Sequence, residues 1–334
     1  MKINAIVKKL NQLLLTGFAK TYMEHNPVLS SLAATVVTGN KSSVKYLFYQ
    51  FVSGLRKFTG NRVYDSFPDT YNFVIYNEKF DKGLEIDVDD LEEGMEISAD
   101  GQLIGADPYT LTINSMSSMA KDHPFEMMVT LIENGTSTTP LTTEGIGATI
   151  TALDGKALFS ATHDYSNVAG TQSNILTGTG IALANLEADL LSVISAFAGF
   201  YYKQNGTINS KKRSLNRSVT KVNIHCPVEM LGIFTKLKST AAIAATGDNV
   251  VGSYIQNIVT HQFTDTNDWY VELVDAENPF MRPLLNQVRK APMLSLGQMT
   301  DESVKQNDKL QYGVRYKGMV GIGAWWKMLK VTNT

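Results

Sequence analysis

From residue 108 to residue 134 apolar side chains recur at helical spacing. Ile113, Met116, Ala120, Met127 and Leu131 fall mostly three or four apart, and Gly135 follows as a stop signal. A helix of that length needs an equally long apolar surface to lie on, which sets what the rest of the chain must provide. Pro124 lies inside it, lacks an N–H and crowds the preceding turn, so a kink or restart is expected near His123-Pro124. Two alternating runs, residues 71–76 and 84–89, come before the helix and flank residues 77–83. That spacing predicts a long β-hairpin with a loose tip, at about 62–94, with few contacts to its own body. In the second run Leu84, Ile86 and Val88 share one face, and Glu85, Asp87 and Asp89 share the other. The acidic face reads as a solvated surface or as one that meets a partner.

Residues 1–30 read as a helical or extended arm, with Ile3, Ile6, Leu10, Leu13 and Leu14 near helical spacing, a break at Asn26-Pro27 and little of its own to pack on. Aromatic and aliphatic residues are dense between Val44 and Phe58. Residues 135–151, rich in Thr, Gly and Ser, read as a loop near a domain boundary. In the second half Leu186, Leu190, Val193, Ile194, Phe197 and Tyr201 predict an amphipathic helix that Asn185 caps and Gly206 closes. Residues 222–226 and 269–274 read as strands, Pro227 opens a helix through Lys238, and 310–331 holds one or two more strands. Helices and strands mix without a βαβ rhythm, which favours an α+β architecture.

With 334 residues, 43% of them hydrophobic and 19% charged, the chain is long enough for a sizeable core or two domains. Thirty basic residues against 32 acidic ones give a net charge of -2, so the electrostatic footprint of a dedicated nucleic-acid binder is missing. The single cysteine, Cys226, excludes an internal disulfide framework and a thiolate zinc site built from this chain, and fits a reducing cytoplasm. No segment approaches the roughly 20 consecutive apolar residues of a membrane helix. The apolar stretch within residues 1–18 is interrupted by Gln12 and reads poorly as a signal peptide.

Catalytic and metal patterns are sparse. His25, His123, His163, His225 and His261 fit no metal-ligand spacing. Ser160 with His163-Asp164 has the residue types of a hydrolase triad but no Gly-x-Ser-x-Gly elbow, so a hydrolase using Ser160 and His163 stays as an alternative only. Gly313, Gly318, Gly321 and Gly323 match no phosphate-binding motif and read as sites of close strand packing. Asp154-Gly155-Lys156 reads as a tight turn. The basic cluster Lys211-Lys212-Arg213, with Arg217 and Lys221, is either a solvated loop or one that meets an acidic neighbour or a phosphate backbone. Neither a cofactor nor a metal is expected.

Several segments taken in order resemble the Mu-like major head subunit of tailed phages. The segment Asp154-Gly155-Lys156-Ala157-Leu158-Phe159-Ser160-Ala161-Thr162-His163, followed by Ser166-Asn167, is the most similar. Phe58-Thr59-Gly60-Asn61-Arg62 resembles the family's aromatic-x-Gly-x-Arg signature, with Phe58 where a tryptophan is expected. Tyr71, Asn77-Glu78-Lys79-Phe80-Asp81, Gly94, Asn267-Asp268-Trp269-Tyr270 and the stretch from Tyr312 to Trp325 extend the likeness over nearly the whole chain; the Thr-rich stretch 136–151 looks like an insertion.

The resemblance implies the Hong Kong 97-like capsid fold: an N-terminal arm (1–45), a peripheral domain (46–150) carrying an extended β-hairpin loop near 62–94 and a spine helix near 108–134, a mainly axial domain (151–300), and return strands (301–334). It implies a major capsid protein, located in the virion and assembled in the bacterial cytoplasm, whose partner is itself in hexamers and pentamers. Scaffold, portal and decoration proteins are further expected partners, with double-stranded DNA touched weakly and no membrane. An encapsulin-type nanocompartment shell is the alternative that the same fold allows. The expected contacts between subunits join Glu85, Asp87 and Asp89 to a basic surface drawn from Arg56, Lys57, Arg62, Lys211, Lys212 and Arg213.

Overall fold

The computed structural model describes residues 2–24, 33–39, 41–49, 60, 70–164, 171–203, 212–216, 218–243, 247–274 and 282–333. Helix α1 (Lys2–Glu24) is followed by strands β1 (Ala33–Val37), β2 (Ser43–Tyr49), β3 (Thr70–Tyr76) and β4 (Glu78–Asp87). Helix α2 (Val88–Gly94), strands β5 (Glu96–Ile97) and β6 (Leu103–Ile104) and the long helix α3 (Asp107–Glu133) come next. The second half runs through β7 (Ile175–Thr177), α4 (Leu183–Gly199), β8 (Tyr201–Lys203), β9 (Lys212–Ser214), β10 (Val222–Pro227), α5 (Leu231–Ser239), β11 (Ala242–Ile243), β12 (Gly247–Asp248), β13 (Ile255–His261) and β14 (Trp269–Leu273). It closes with β15 (Leu284–Ser295), α6 (Glu302–Asn307), β16 (Lys309–Ile322) and β17 (Met328–Thr332). The chain divides into two compact units, the first made of Met1–Val44, Tyr76–Glu126 and Asn286–Met319, the second of Lys45–Ile75, Met127–Leu285 and Val320–Thr334.

The first unit holds a four-stranded sheet in the order β1-β15-β16-β4. β16 shows why it pairs as it does: Leu310, Tyr312, Val314 and Tyr316 are buried, while Lys309, Gln311 and Arg315 are exposed, the alternation of a sheet wet on one face. One buried cluster joins Leu310, Tyr312 and Val314 to Ile6, Leu10, Leu14 and Phe18 of α1 and to Ile113 and Met116 of α3. The expectation that residues 1–30 have little to pack on is therefore corrected for α1, whose apolar stripe is part of this core. Ser117 Oγ donates to the Phe18 carbonyl at 3.0 Å and Asn11 Nδ2 to that of Gly297 at 2.8 Å, so these two donors keep partners in the contact.

The hairpin expected from runs 71–76 and 84–89 does not form. β3 pairs with β2, and Tyr46 and Phe73 stack with ring centroids 5.1 Å apart. β4 begins at Glu78, inside the stretch read as a loose tip, and pairs antiparallel with β16 over ten positions from Glu78↔Gly318 to Asp87↔Lys309. The charged residues Glu78, Lys79, Asp81 and Lys82 suit an edge strand, where charge discourages further pairing. Asn77, alone between β3 and β4, pins the turn. Its N–H donates to Ser42 O at 2.8 Å, its Nδ2 to Lys41 O at 3.0 Å, and its Oδ1 accepts from Gln287 Nε2 at 2.9 Å.

α3 runs unbroken through Pro124, so the restart expected there is absent, although the Ala120 carbonyl has no N–H from residue 124 to accept. In the second unit a mixed sheet has the order β13-β10-β14-β17-β7, with β10 parallel to β13 and antiparallel to β14. All six residues of β10 are buried. On one face Phe234 of α5 meets Trp269 at 5.1 Å, and α4 contributes the fully buried Leu186, Leu190, Val193 and Phe197. α4 starts two residues before the predicted cap Asn185, whose Nδ2 instead donates to Thr179 O at 2.8 Å; the helix ends at Gly199, Tyr201 lies in β8, and Gly206 lies outside the described residues. Pro227 ends β10, and α5 begins at Leu231. The glycines near the C-terminal end do allow close packing, since a Cβ on Gly321 would lie 2.2 Å from Ile75 Cδ1 and one on Gly323 2.3 Å from the Arg282 carbonyl oxygen.

Candidate functional site

The segment around His163 is the first place to look for chemistry. Ala152 and Lys156 close a turn in which Gly155 takes φ +74, and Asp154 Oδ1 accepts the Lys156 N–H at 3.2 Å. Asp154 Oδ2 lies 2.7 Å from His163 Nδ1 and also accepts the Asp164 N–H at 3.0 Å. The other ring nitrogen of His163, Nε2, lies 3.2 Å from the Leu158 carbonyl oxygen, and the ring stacks on Trp325 at 4.0 Å, 3° from parallel. Asn174 completes the knot: its Oδ1 accepts the Ser160 N–H at 2.8 Å, and its Nδ2 donates to Leu158 O at 2.8 Å and Met328 O at 3.2 Å. Both nitrogens of His163 are thus committed and its side chain is fully buried, while Ser160 Oγ pairs with Thr162 Oγ1 at 3.3 Å. A nucleophile needs a base within hydrogen-bond reach. Instead His163 stacks the segment on Trp325, and Asn174 ties Ser160 to β17.

A second buried polar group crosses three strands of the second unit. His225 Nδ1 and His261 Nε2 share a hydrogen bond at 3.1 Å, and His225 Nε2 lies 3.6 Å from Glu272 Oε2. Glu272 accepts from Asn223 Nδ2 at 3.3 Å, and Asn257 Nδ2 donates to Asn223 Oδ1 at 3.1 Å. Burial, then the neighbouring His225, pushes His261 down to about 3. Sequence spacing did not reveal this group, because the cross-strand register alone sets Asn223 opposite Asn257 and Glu272. Among the described residues no group of three His, Cys, Asp or Glu side chains is placed to hold a metal ion.

The acidic triad is rearranged. Glu85 lies in β4 and is met within its own subunit by Gln311 Nε2 at 2.8 Å and Lys309 Nζ at 3.4 Å, whose hydrogen bonds hold its carboxyl below the ordinary value. Asp87 ends the strand and caps α2, its Oδ1 accepting the Asp89 N–H at 3.0 Å, and Asp89 lies in the first turn of that helix. The single strand face of Glu85, Asp87 and Asp89 is corrected accordingly: an aspartate followed by acidic residues is a strong helix start, and here it ends the alternation. The basic candidates Arg56, Lys57, Arg62 and Lys211 lie outside the described residues. Lys212 and Arg213 lie in β9, opposite Lys203 and Tyr202.

Three comparisons bear on what such a chain does. A family model described as the Mu-like prophage major head subunit gpT matches residues 7–189 and 243–334. No curated protein matches the chain. Among solved structures, a protein of the bacteriophage JBD30 procapsid is similar with a TM-score of 0.50 and 18% identity, over 99% of this chain and 76% of that one. A chain of the bacteriophage PhiM1 mature capsid gives a TM-score of 0.54 at 11% identity, over 93% of this chain and 88% of that one. The capsid of a native GTA particle gives 0.54 at 11% identity, over 91% of this chain and 88% of that one. At such identities the likeness is one of fold, mixed α and β like that of phage capsid proteins.

Proposed function

Since this chain belongs to the Mu-like prophage major head subunit gpT family, we propose that it builds its shell from hexamers and pentamers of itself around double-stranded DNA. The protein is a structural subunit of a phage or prophage head, not an enzyme, and its place is the capsid. The observation that carries the reading is the family match on both sides of residues 190–242 together with a fold like that of capsid subunits over nearly the whole chain.

The finer anatomy is proposed on the same basis. α1 serves as the N-terminal arm and α3 as the spine helix of a peripheral domain, β2 and β3 form the base of its extended loop, and the sheet of β10, β13 and β14 lies in the axial domain. A chain at net charge -2 suits a lining that does not grip its cargo. Scaffold, portal and decoration proteins are its further partners. Contacts between copies run through the acidic surface that includes Glu85, Asp87 and Asp89, with Arg56, Lys57, Arg62 or the Lys211-Lys212-Arg213 cluster of a neighbour opposite. Repetition over many copies lets individually weak contacts add up. Sedimentation of the purified chain across concentration tests the reading: large assemblies are expected, and a species that stays monomeric contradicts it.

A further inference from the structure

Among the described strands β4 is the edge of the first unit's sheet, and a groove of about 400 Å³ opens beside its first half, against α3. Phe80, Met116, Met119, Val314 and Tyr316 line it, and Met119 is left 53% exposed. Lys79 and Lys82 stand at its rim, both exposed, and neither forms an ion pair among the described residues. The rim carries two carboxylates as well. Asp81 stands opposite Arg315 in the β4–β16 register, and Glu126 has contacts of its own. Counting Glu78 as well, three carboxylates face Lys79, Lys82, Arg315 and Lys317 at this end of the edge, which keeps a positive excess of about one charge.

Farther along the same stretch of chain the sign reverses. Between Lys82 and Lys121 there is no basic residue, and there are nine acidic ones: Glu85, Asp87, Asp89, Asp90, Glu92, Glu93, Glu96, Asp100 and Asp107. Among these carboxylates, directly opposite Glu96 in the β5–β6 ladder, Ile104 is 57% exposed. An apolar knob set among carboxylates suits an apolar groove that carries at its rim two lysines free of ion pairs among the described residues. The length of β4 separates them on one chain, at roughly 3.3 Å per residue.

We propose that they meet between copies: the corner formed by α2, β5 and β6 of one chain seats Ile104 in the groove of the next, with Glu92, Glu93 and Glu96 against Lys79 and Lys82. This rests on the self-assembly reading and gives it a direction. Two different surfaces that fit each other make a heterologous contact, which repeats around a ring, where a self-complementary patch stops at a dimer. The charges set encounter and register, and the buried isoleucine slows release.

Charge exchange in the full chain tests the contact. Light scattering is followed for the wild type, for Lys79→Glu with Lys82→Glu, for Glu92→Lys with Glu93→Lys and Glu96→Lys, and for all five changes together, with circular dichroism to check folding. Each reversal is expected to slow assembly about tenfold, and the five-fold variant to recover most of the wild-type rate. Unchanged assembly in the reversals, or a five-fold variant no faster than either, overturns the contact. Where a reversal fails to fold, a mixture of Ile104→Cys and Met119→Cys chains decides, since the native Cys226 is buried. A mixed disulfide dimer on oxidation supports the contact, and its absence from assembled particles overturns it. A wild type that never assembles contradicts the self-assembly reading itself, whereas a wild type that assembles while its reversals are unaffected contradicts this contact alone.

Discussion

His261 is buried, and the cost of desolvating a charged ring, with a smaller contribution from the neighbouring His225, holds it near 3, well below its unfolded value of 6.5. The unfolded chain therefore takes up that proton first as the solution is acidified. The stability contributed by the neutral ring is present above pH 6.5 and is lost as pH falls from 6.5 toward 3, with a limiting slope of about 1.4 kcal/mol per pH unit. Urea unfolding of the second unit, which holds all three tryptophans, followed by tryptophan fluorescence across that window should show the loss, and His261→Asn should flatten it. A slope identical in the variant would contradict the assignment. Residue types at such places were legible in the sequence, but their roles were not. Ser160 and His163 suggested a hydrolase because nothing nearby in sequence discloses that Trp325 and Met328 take up His163 and Asn174. The order of Asp154, Ser160 and His163 did carry the resemblance to the family, so a motif was readable where its geometry was not.

Elements divide in the same way, by whether their partners are local. α3 was legible because helical periodicity is written within a few turns, and only the effect of Pro124 was overestimated. The hairpin was misassigned because β4 finds its partner more than two hundred residues away in β16, and alternation marks a strand without naming its neighbour. The end of β4 can be tested at one side chain. As the cap of α2, Asp87→Ala should cost about 1 kcal/mol, the usual loss of an N-cap. Asp89→Ala, which removes only an exposed charge in the first turn, should cost at most about half of that. Equal losses in thermal melts would favour a plain strand face. α1 offers a larger effect. Leu10 and Leu14 are fully buried, so either leucine replaced by alanine should destabilise the first unit by about 2–5 kcal/mol in denaturant titrations. A loss below about 0.5 kcal/mol would mean that α1 rides on the surface, as a surface substitution does.

At the scale of the whole molecule, a head subunit with its charges sorted along the chain meets its copies through many weak contacts. Exposed ion pairs contribute only about 0–1 kcal/mol each and are screened over roughly 8 Å at physiological salt. Raising salt should therefore slow assembly while the subunit stays folded, an outcome read by scattering and circular dichroism on the same samples; salt-insensitive kinetics would move the binding energy to apolar contacts. The α+β class and the family were legible in the sequence because motif order survives even where strand pairing is misread. The unit boundaries were not, since each unit is gathered from three separate stretches of chain. Electron microscopy of the purified, concentrated chain decides whether this subunit builds a shell: rings, tubes or closed shells built from this protein alone or with a scaffold are the predicted result, and dispersed monomers at every concentration and salt, with or without scaffold, would contradict it.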